Sequence, residues 1–269
     1  MNLADITPVI LTRDEEPNIE RTLAQLAWAN DVVLVDSFST DATIEMARRF
    51  PNARVFQRQI DSLAGQSNYG LQQAQTPWVL LLDADYFVPR AFVDELRALE
   101  PATGIRAYRA AFQYAVNGKP LRASLYPARV VLLHREHASV WQDGHAHRVT
   151  ADGDTGTLQS KIIHDDRKSF ARFIERQKRY MREEAEKLRH ADPRALSIAG
   201  RVRKLVVVAP FAVIFHTLFV KGLIFDGLPG LRYTWERFIA ELILSREMLS
   251  SRLSARSSQG EPGAGRPES

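Results

Sequence analysis

Residues 78–85 read Trp-Val-Leu-Leu-Leu-Asp-Ala-Asp. A short, unbroken apolar run of this length fits a strand covered on both faces, as in a parallel sheet. It ends on two carboxylates one residue apart, Asp83 and Asp85, which project to the same side if the chain stays extended. In open α/β sheets, ligands bind beyond the carboxyl ends of the strands. Such a pair can hold a hard divalent cation, Mg²⁺ or Mn²⁺, which usually takes one or two carboxylates plus phosphate oxygens. The cation would neutralise a diphosphate leaving group. An Asp-x-Asp by itself is common on surface loops; the buried strand ahead of it makes this one informative.

Upstream the same grammar repeats. Ile6–Thr12 is apolar, Asp14–Trp28 has helical periodicity, and residues 31–36 read DVVLVD, a β-branched run closing on Asp36. Thr40–Phe50 reads as a helix, Ala53–Phe56 as a strand, Ser67–Ala74 and Phe87–Leu99 as helices. Alternation of apolar strands with amphipathic helices predicts an α/β fold with a parallel sheet covered on both faces. Asp36, at a strand tip, can accept a hydrogen bond from the N3–H of uracil or from a ribose hydroxyl. Ser39 or Thr40 would cap the next helix, with Asp41 favourable to its dipole. Thr12-Arg13-Asp14-Glu15 follows the first strand, where polar side chains and a helix N-terminus can meet a nucleotide and Arg13 a phosphate.

The chain has 269 residues, 45% hydrophobic and 25% charged, and no cysteine. Disulfides and thiolate metal sites are excluded, so a metal must sit on oxygen or imidazole ligands. A net charge of +4 excludes a nucleic-acid-binding polycation, and no nucleic-acid partner is expected. The charge is concentrated: Arg167–Lys204 holds 13 Lys or Arg against 5 Asp or Glu. Beside it, Leu205–Phe225 is apolar over about the ~20 residues needed to cross a bilayer, but it carries Pro210, His216 and Lys221. Helices lying in the interface of an anionic membrane surface are therefore expected rather than a span; for the basic stretch itself a solvated helix face is the equal alternative. The N-terminus has no basic region ahead of an apolar core, so no secretory signal is expected. Ser254–Ser269 is rich in Ser, Gly and Pro and reads as a disordered tail.

Between Thr103 and Ile163 the texture changes to short strands with turn signals at Asn117-Gly118, Asp143-Gly144 and Asp152-Gly153. His164-Asp165-Asp166-Arg167 closes this stretch and opens a highly charged helix over Ser169–His190. His164 can serve as an imidazole ligand, and Arg167 or Lys168 can steady a diphosphate; a helix start capped by Asp165 or Asp166 explains the same residues without a ligand.

Taken in order, ITPVILTRDEEPNIERTL, WANDVVLVDSFSTDATIEMARRF and GQSNYGLQQAQTPWVLLLDAD resemble the nucleotide-binding half of a family-2 inverting glycosyltransferase of the GT-A fold. More narrowly they are similar to the lipopolysaccharide core glucosyltransferase-like branch. The resemblance covers Ile6–Leu99 strongly and Thr103–His164 weakly. It implies that Asp36 reads the nucleotide base and that Glu15, with Thr12 beside it, lies near the nucleoside. It further implies that Gln66 and Asn68 are the polar pair on the helix before the metal strand, that Asp83 faces ribose or metal, that Asp85 is the principal metal ligand, and that His164 completes the metal or diphosphate site. Tyr86 stands where many relatives have Glu, and Asp14 where Asn is usual. An inverting displacement needs a general base at the acceptor hydroxyl. Relatives often place a carboxylate beside a His there; the matching stretch is Trp141–Arg148, which lacks the His-Glu pair. Asp143 is the expected base, with His145 second and a simple turn as the alternative.

The combined expectation is a metal-dependent, inverting transfer of sugar from a nucleotide-diphosphate sugar, a UDP-sugar foremost, to a lipid-linked or lipopolysaccharide-core acceptor. The protein would be cytoplasmic and peripheral on the inner face of the plasma (inner) membrane. Residues 1–168 would be catalytic (1–100 nucleotide-binding, 101–168 acceptor), 169–253 helical and membrane-associated, and 254–269 the tail. Two alternatives remain. A sugar-phosphate nucleotidyltransferase would want a Gly-rich loop after the first strand, absent from TRDEEPN. A non-catalytic membrane-associated scaffold would not need Asp36, Asp83 and Asp85 together.

Overall fold

The computed structural model describes residues 1–143, 146–192, 194 and 196–258. The first half alternates as read: β1 (Ile6–Thr12), α1 (Ile19–Ala24), β2 (Val32–Asp36), α2 (Thr43–Ala47), β3 (Ala53–Gln57), α3 (Leu63–Gln73), β4 (Trp78–Asp83), β5 (Tyr86–Phe87) and α4 (Arg90–Ala98). There follow β6 (Ile105–Ala110), β7 (Phe112–Val116), β8 (Lys119–Pro120), β9 (Arg129–His134), β10 (Ala138–Asp143), β11 (Ala146–Ala151), β12 (Asp154–Thr157) and β13 (Ile162–His164). The helical region is α5 (Phe170–His190), α6 (Ile198–Lys204), α7 (Val208–Phe215) and α8 (Gly227–Ser258).

The central sheet has seven strands in the order β12-β6-β9-β4-β1-β2-β3. Pairings are parallel except those of β9, which runs against both β4 and β6. The expected parallel sheet is thus mixed, by one strand contributed from the second half. Alternate residues feed two cores: Ile10, Leu34, Leu80 and Leu82 on one face, Val9, Val33, Val35, Val79 and Leu81 on the other. Continuous apolar strands were legible because both faces are covered. α3 lies very close to the sheet: a Cβ at Gly70 would sit 2.4 Å from Val9 Cγ1.

Register decides what meets at the strand tips. Thr12 is opposite Asp36 and Leu11 is opposite Asp83. A second sheet, β5-β13-β7-β8, sets His164 opposite Tyr86 and Tyr114, just beyond β4. The Asn117-Gly118 turn joins β7 to β8 with both residues at positive φ, as a tight hairpin requires. β10 and β11 form a separate antiparallel hairpin.

Three helices of the first half, α1, α2 and α4, are shorter than periodicity suggested, whereas α3 begins four residues earlier than expected, at Leu63. α1 begins only at Ile19 because Asp14 has φ 52° and the loop after β1 is tied to the loop after β2. Ser39 Oγ accepts from Asp14 N–H at 2.9 Å, and Thr40 N–H donates to Asp14 at 2.8 Å. Ser39 and Thr40 are therefore inter-loop ties rather than caps, and α2 starts at Thr43 with Asp41 bonded to its first N–H at 3.1 Å.

α5 is capped by Ser169 and buries Phe173, Gln177, Met181, Ala185 and Leu188. Its contacts include Leu244 and Met248 of α8. Leu205–Phe225 does not form one helix: α7 passes into a π-helical turn (His216–Val220) and a 3-10 turn (Leu223–Asp226), with Gly222 at φ 69° between them. Among the described residues no single helix is long and apolar enough to cross a membrane, although the bent pair Val208–Val220 and Leu223–Ser250, at 72°, has the length and composition. α8 continues to Ser258, past the expected start of the tail.

Candidate functional site

A cavity of about 450 Å³ opens at the carboxyl ends of β1 and β4. One wall carries Thr12, Arg13, Asp14, Glu15, Asp83 and Asp85; α3 adds Leu63 and Gln66. The facing wall is α5 and the residue before it: Lys168, Arg172, Glu175, Arg176, Arg179 and Tyr180. Of the residues expected from sequence, Thr12, Glu15, Gln66, Asp83 and Asp85 therefore share one cavity.

Asp85 is buried and its Oδ2 meets His164 Nε2 at 3.1 Å. Burial raises its pKa, but the His164 imidazole, Arg176 and Lys168 more than offset this and hold the carboxyl well below the usual range. Its second oxygen, Oδ1, is buried without a hydrogen-bond partner among the described residues, as is His164 Nδ1. A buried, ionised oxygen with no donor costs ~1–3 kcal/mol or more, so native structures seldom leave one without a use. No set of three His, Asp or Glu side chains among the described residues forms a metal cage. Asp85 and Asp83 therefore fit a cation that takes its remaining ligands from phosphate oxygens and water, the usual habit of Mg²⁺. His164 sits behind Asp85 rather than on the cavity lining, among the rings of Tyr86, Tyr114 and Tyr126 at 5.3, 4.8 and 4.7 Å.

Glu15 is buried between the walls. Asn18 Nδ2 donates to it at 2.9 Å and Lys168 Nζ donates to its other oxygen. Burial pushes its pKa up to about 7, against the opposing pull of Lys168. Asp36 is fully buried and has four donors: Thr12 Oγ1 at 3.2 Å, Ser39 N–H at 2.9 Å, Ser39 Oγ, and Gln57 Nε2 at 3.3 Å. It lies one layer behind the cavity, which is lined by its neighbours Thr12 and Ser37.

Three expected residues are placed elsewhere. Asn68 straps α3 to β10, donating to Val140 C=O at 2.7 Å and accepting from Val140 N–H at 3.0 Å. Arg167 is paired with Asp165 at 3.0 Å and is not on the lining. Asp143 is also off the lining; Lys187 at 2.7 Å and Arg148 at 3.0 Å hold its pKa down. The Lys187 bond joins the β10–β11 hairpin to α5, and the Arg148 bond ties the hairpin's two strands. The second choice for a base, His145, lies outside the described residues.

What sequence reasoning missed is the inner wall of α5. Its signal was present, since residues 168, 172, 176 and 179 recur at the spacing of one helix face, but the sequence reading left the segment facing lipid or water. Instead Arg172 pairs with Asp41 at 3.2 Å and Arg176 with Asp166 at 2.6 Å, while Arg203 pairs with Glu241 at 2.7 Å. Much of the basic stretch is spent inside the protein.

The glycosyl transferase family 2 model matches residues 8–100. An uncharacterized glycosyltransferase of Rickettsia typhi is 30% identical over 92 residues, 34% of this chain and 31% of that protein. The lipopolysaccharide core biosynthesis glycosyltransferase LpsC of Rhizobium meliloti is 28% identical over 102 residues, 36% of this chain and 38% of that one. The matched part thus spans only about a third of these relatives' length. Among solved structures, mannosyl-3-phosphoglycerate synthase from Rubrobacter xylanophilus aligns with a TM-score of 0.48 at 15% identity, covering 71% of this chain and 78% of that one. S. aureus TarS 1–349 in complex with UDP-GlcNAc aligns at 0.42 and 15%, covering 93% and 92%. The matched residues 8–100 span β1 to α4, so the similarity to glycosyl transferase family 2 covers the part of the chain that carries the acidic wall of the cavity.

Proposed function

We propose that the protein transfers a sugar, with inversion, from a nucleotide-diphosphate sugar to an acceptor presented at a membrane surface. The observation that carries this reading is the buried Asp85, with one carboxylate oxygen unpartnered, beside Asp83 in a cavity at the tips of β1 and β4 within the stretch similar to family 2. Asp85 and Asp83 would hold a divalent cation, whose chemistry is to neutralise the diphosphate leaving group. The nucleoside would lie against Thr12, Glu15, Ser37 and Gln66. Asp36 would read the base edge, a UDP-sugar being the expected donor. A carboxylate offers about four lone-pair sites and all four are engaged, so one donor must yield; Gln57, at 3.3 Å and exposed, is the longest of those measured.

Deprotonation of the acceptor hydroxyl requires a carboxylate on the cavity. Glu15 is bonded to Lys168 and Asn18, Asp14 to Thr40, and Asp85 to His164. Glu175 lines the cavity and has no ion pair among the described residues. It takes the role of general base in this reading in place of Asp143, which is engaged elsewhere.

Membrane apposition is supported by exposed large apolar side chains between Leu205 and Trp235, among them Phe211 at 64%, Phe225 at 75% and Leu228 at 80%. Large apolar side chains exposed together over one stretch of chain suit an interaction surface. A lipid-linked or lipopolysaccharide-core acceptor fits it, as does a peripheral position on the inner face of the plasma membrane. The test is incubation with a panel of nucleotide sugars and a membrane-extract acceptor, with Mg²⁺ or Mn²⁺. Release of nucleoside diphosphate with labelled acceptor supports the reading; pyrophosphate release in a parallel incubation with nucleoside triphosphates and sugar 1-phosphates points instead to nucleotidyl transfer, and no turnover with any donor sinks it.

A further inference from the structure

On the face of α5 that meets the cavity, Arg179 is a cation without a carboxylate partner among the described residues. α5 turns Phe173, Gln177 and Met181 inward against the protein and presents Arg172, Arg176 and Arg179 to the cavity. Lys168, Arg172 and Arg176 are committed to Glu15, Asp41 and Asp166, and these pairs dock the helix against the loops after β1, β2 and β13. Arg179, one turn further on, has no carboxylate partner among the described residues; its guanidinium lies 5.2 Å from the Tyr180 ring centroid. Across the cavity, the Arg13 side chain likewise has no ion pair among the described residues. Two unneutralised guanidinium groups therefore line one cavity. Each offers a planar fork of N–H donors that matches phosphoryl oxygens.

We propose that Arg179 and Arg13 form a phosphoryl-binding subsite that works without a metal ion, separate in its chemistry from the carboxylates Asp83 and Asp85. It rests on the sugar-transfer reading only in the source of the phosphoryl group: the donor's diphosphate, or a phosphate ester on the acceptor. Docked by three ion pairs, α5 fixes the backbone at Arg179, so engaging an anion orders the Arg179 side chain and not the helix.

Calorimetric titration of the full chain in EDTA with inorganic pyrophosphate tests this. Wild type should bind pyrophosphate, and Arg179→Ala should weaken that binding by about tenfold or more, with Arg13→Ala doing the same and Arg179→Lys losing less. Uridine binding should be unchanged in Arg179→Ala, which separates loss of the subsite from loss of the fold. If saturating UDP displaces pyrophosphate, the subsite takes the donor's diphosphate; if both bind together, it takes the acceptor's phosphate. Absence of metal-free pyrophosphate binding by wild type, or equal affinity in wild type and Arg179→Ala, overturns the proposal. Continued sugar transfer by the wild-type enzyme in that event would leave the broader reading standing.

Discussion

The cavity's two walls are built by different physics. The acidic wall consists of strand tips, and its geometry follows from backbone register: once Leu11 pairs with Asp83 and Thr12 with Asp36, the carboxylates must gather at one end of the sheet. The basic wall is a single helix face, positioned by ion pairs of Lys168 and Arg172 with Glu15 and Asp41 of the first half, and of Arg176 with Asp166 in the loop after β13. The first wall is local and rigid. The second depends on contacts more than a hundred residues apart in sequence, such as Lys168 with Glu15, and is therefore the wall that substitution can detach without unfolding the sheet.

The largest effect should come from the acidic wall. Asp85→Ala removes the buried carboxylate that would face the cation, and turnover should fall about 1000-fold or more, since metal stabilisation of a leaving group contributes several kcal/mol. Near-wild-type turnover would mean that the acidic wall is structural.

Next comes the seam between the walls. A carboxyl whose folded pKa is raised holds its proton more tightly when folded, so Glu15's contribution to stability is complete below its ordinary 4.5 and is lost as pH rises through about 7. Between those limits wild type should lose on the order of 3 kcal/mol relative to Glu15→Gln. Urea unfolding of both proteins at several pH values measures this; parallel pH profiles would show that Glu15 titrates normally and that the walls are not joined through a buried charge.

The helix wall itself is probed by Glu175→Gln, which should lower kcat by about 100-fold, the scale of a lost general base, with little change in the donor's Kd. An unchanged kcat would move the base elsewhere. The smallest effect is expected outside both walls. Asp143→Asn breaks exposed pairs with Lys187 and Arg148, whose loss costs roughly 0–1 kcal/mol, and should leave kcat within about twofold because nothing in that role enters catalysis. A 100-fold loss there, measured with initial rates at saturating donor, would return the base to the β10–β11 hairpin.

The apolar region teaches a related point about tests. Deleting everything from Arg201 would strip α8 from α5, exposing Met181 and Leu188 that α8 helps to cover, so such a truncation would disturb the basic wall together with any membrane contact. Substitutions at exposed Phe219 and Phe225 separate the two.

Sequence alone determined the sheet and its acidic edge. Unbroken apolar runs such as WVLLL and DVVLV have one economical fate, a strand covered on both faces, and a carboxylate immediately after such a run lands at its tip whatever the rest of the chain does. Tertiary structure alone decided which distant side chains face those tips. The i, i+4, i+7 spacing of Arg172, Arg176 and Arg179 fixes that they share a face, but a helix face can turn to lipid, to water or to a cavity, and only the packing of Phe173, Gln177 and Met181 selects among these. Asp143 shows the converse: it falls in the stretch that matches the relatives' base, yet a lysine on α5 pairs with it. Periodicity fixes orientation within an element, whereas charge pairing between elements is set only when the core brings them together.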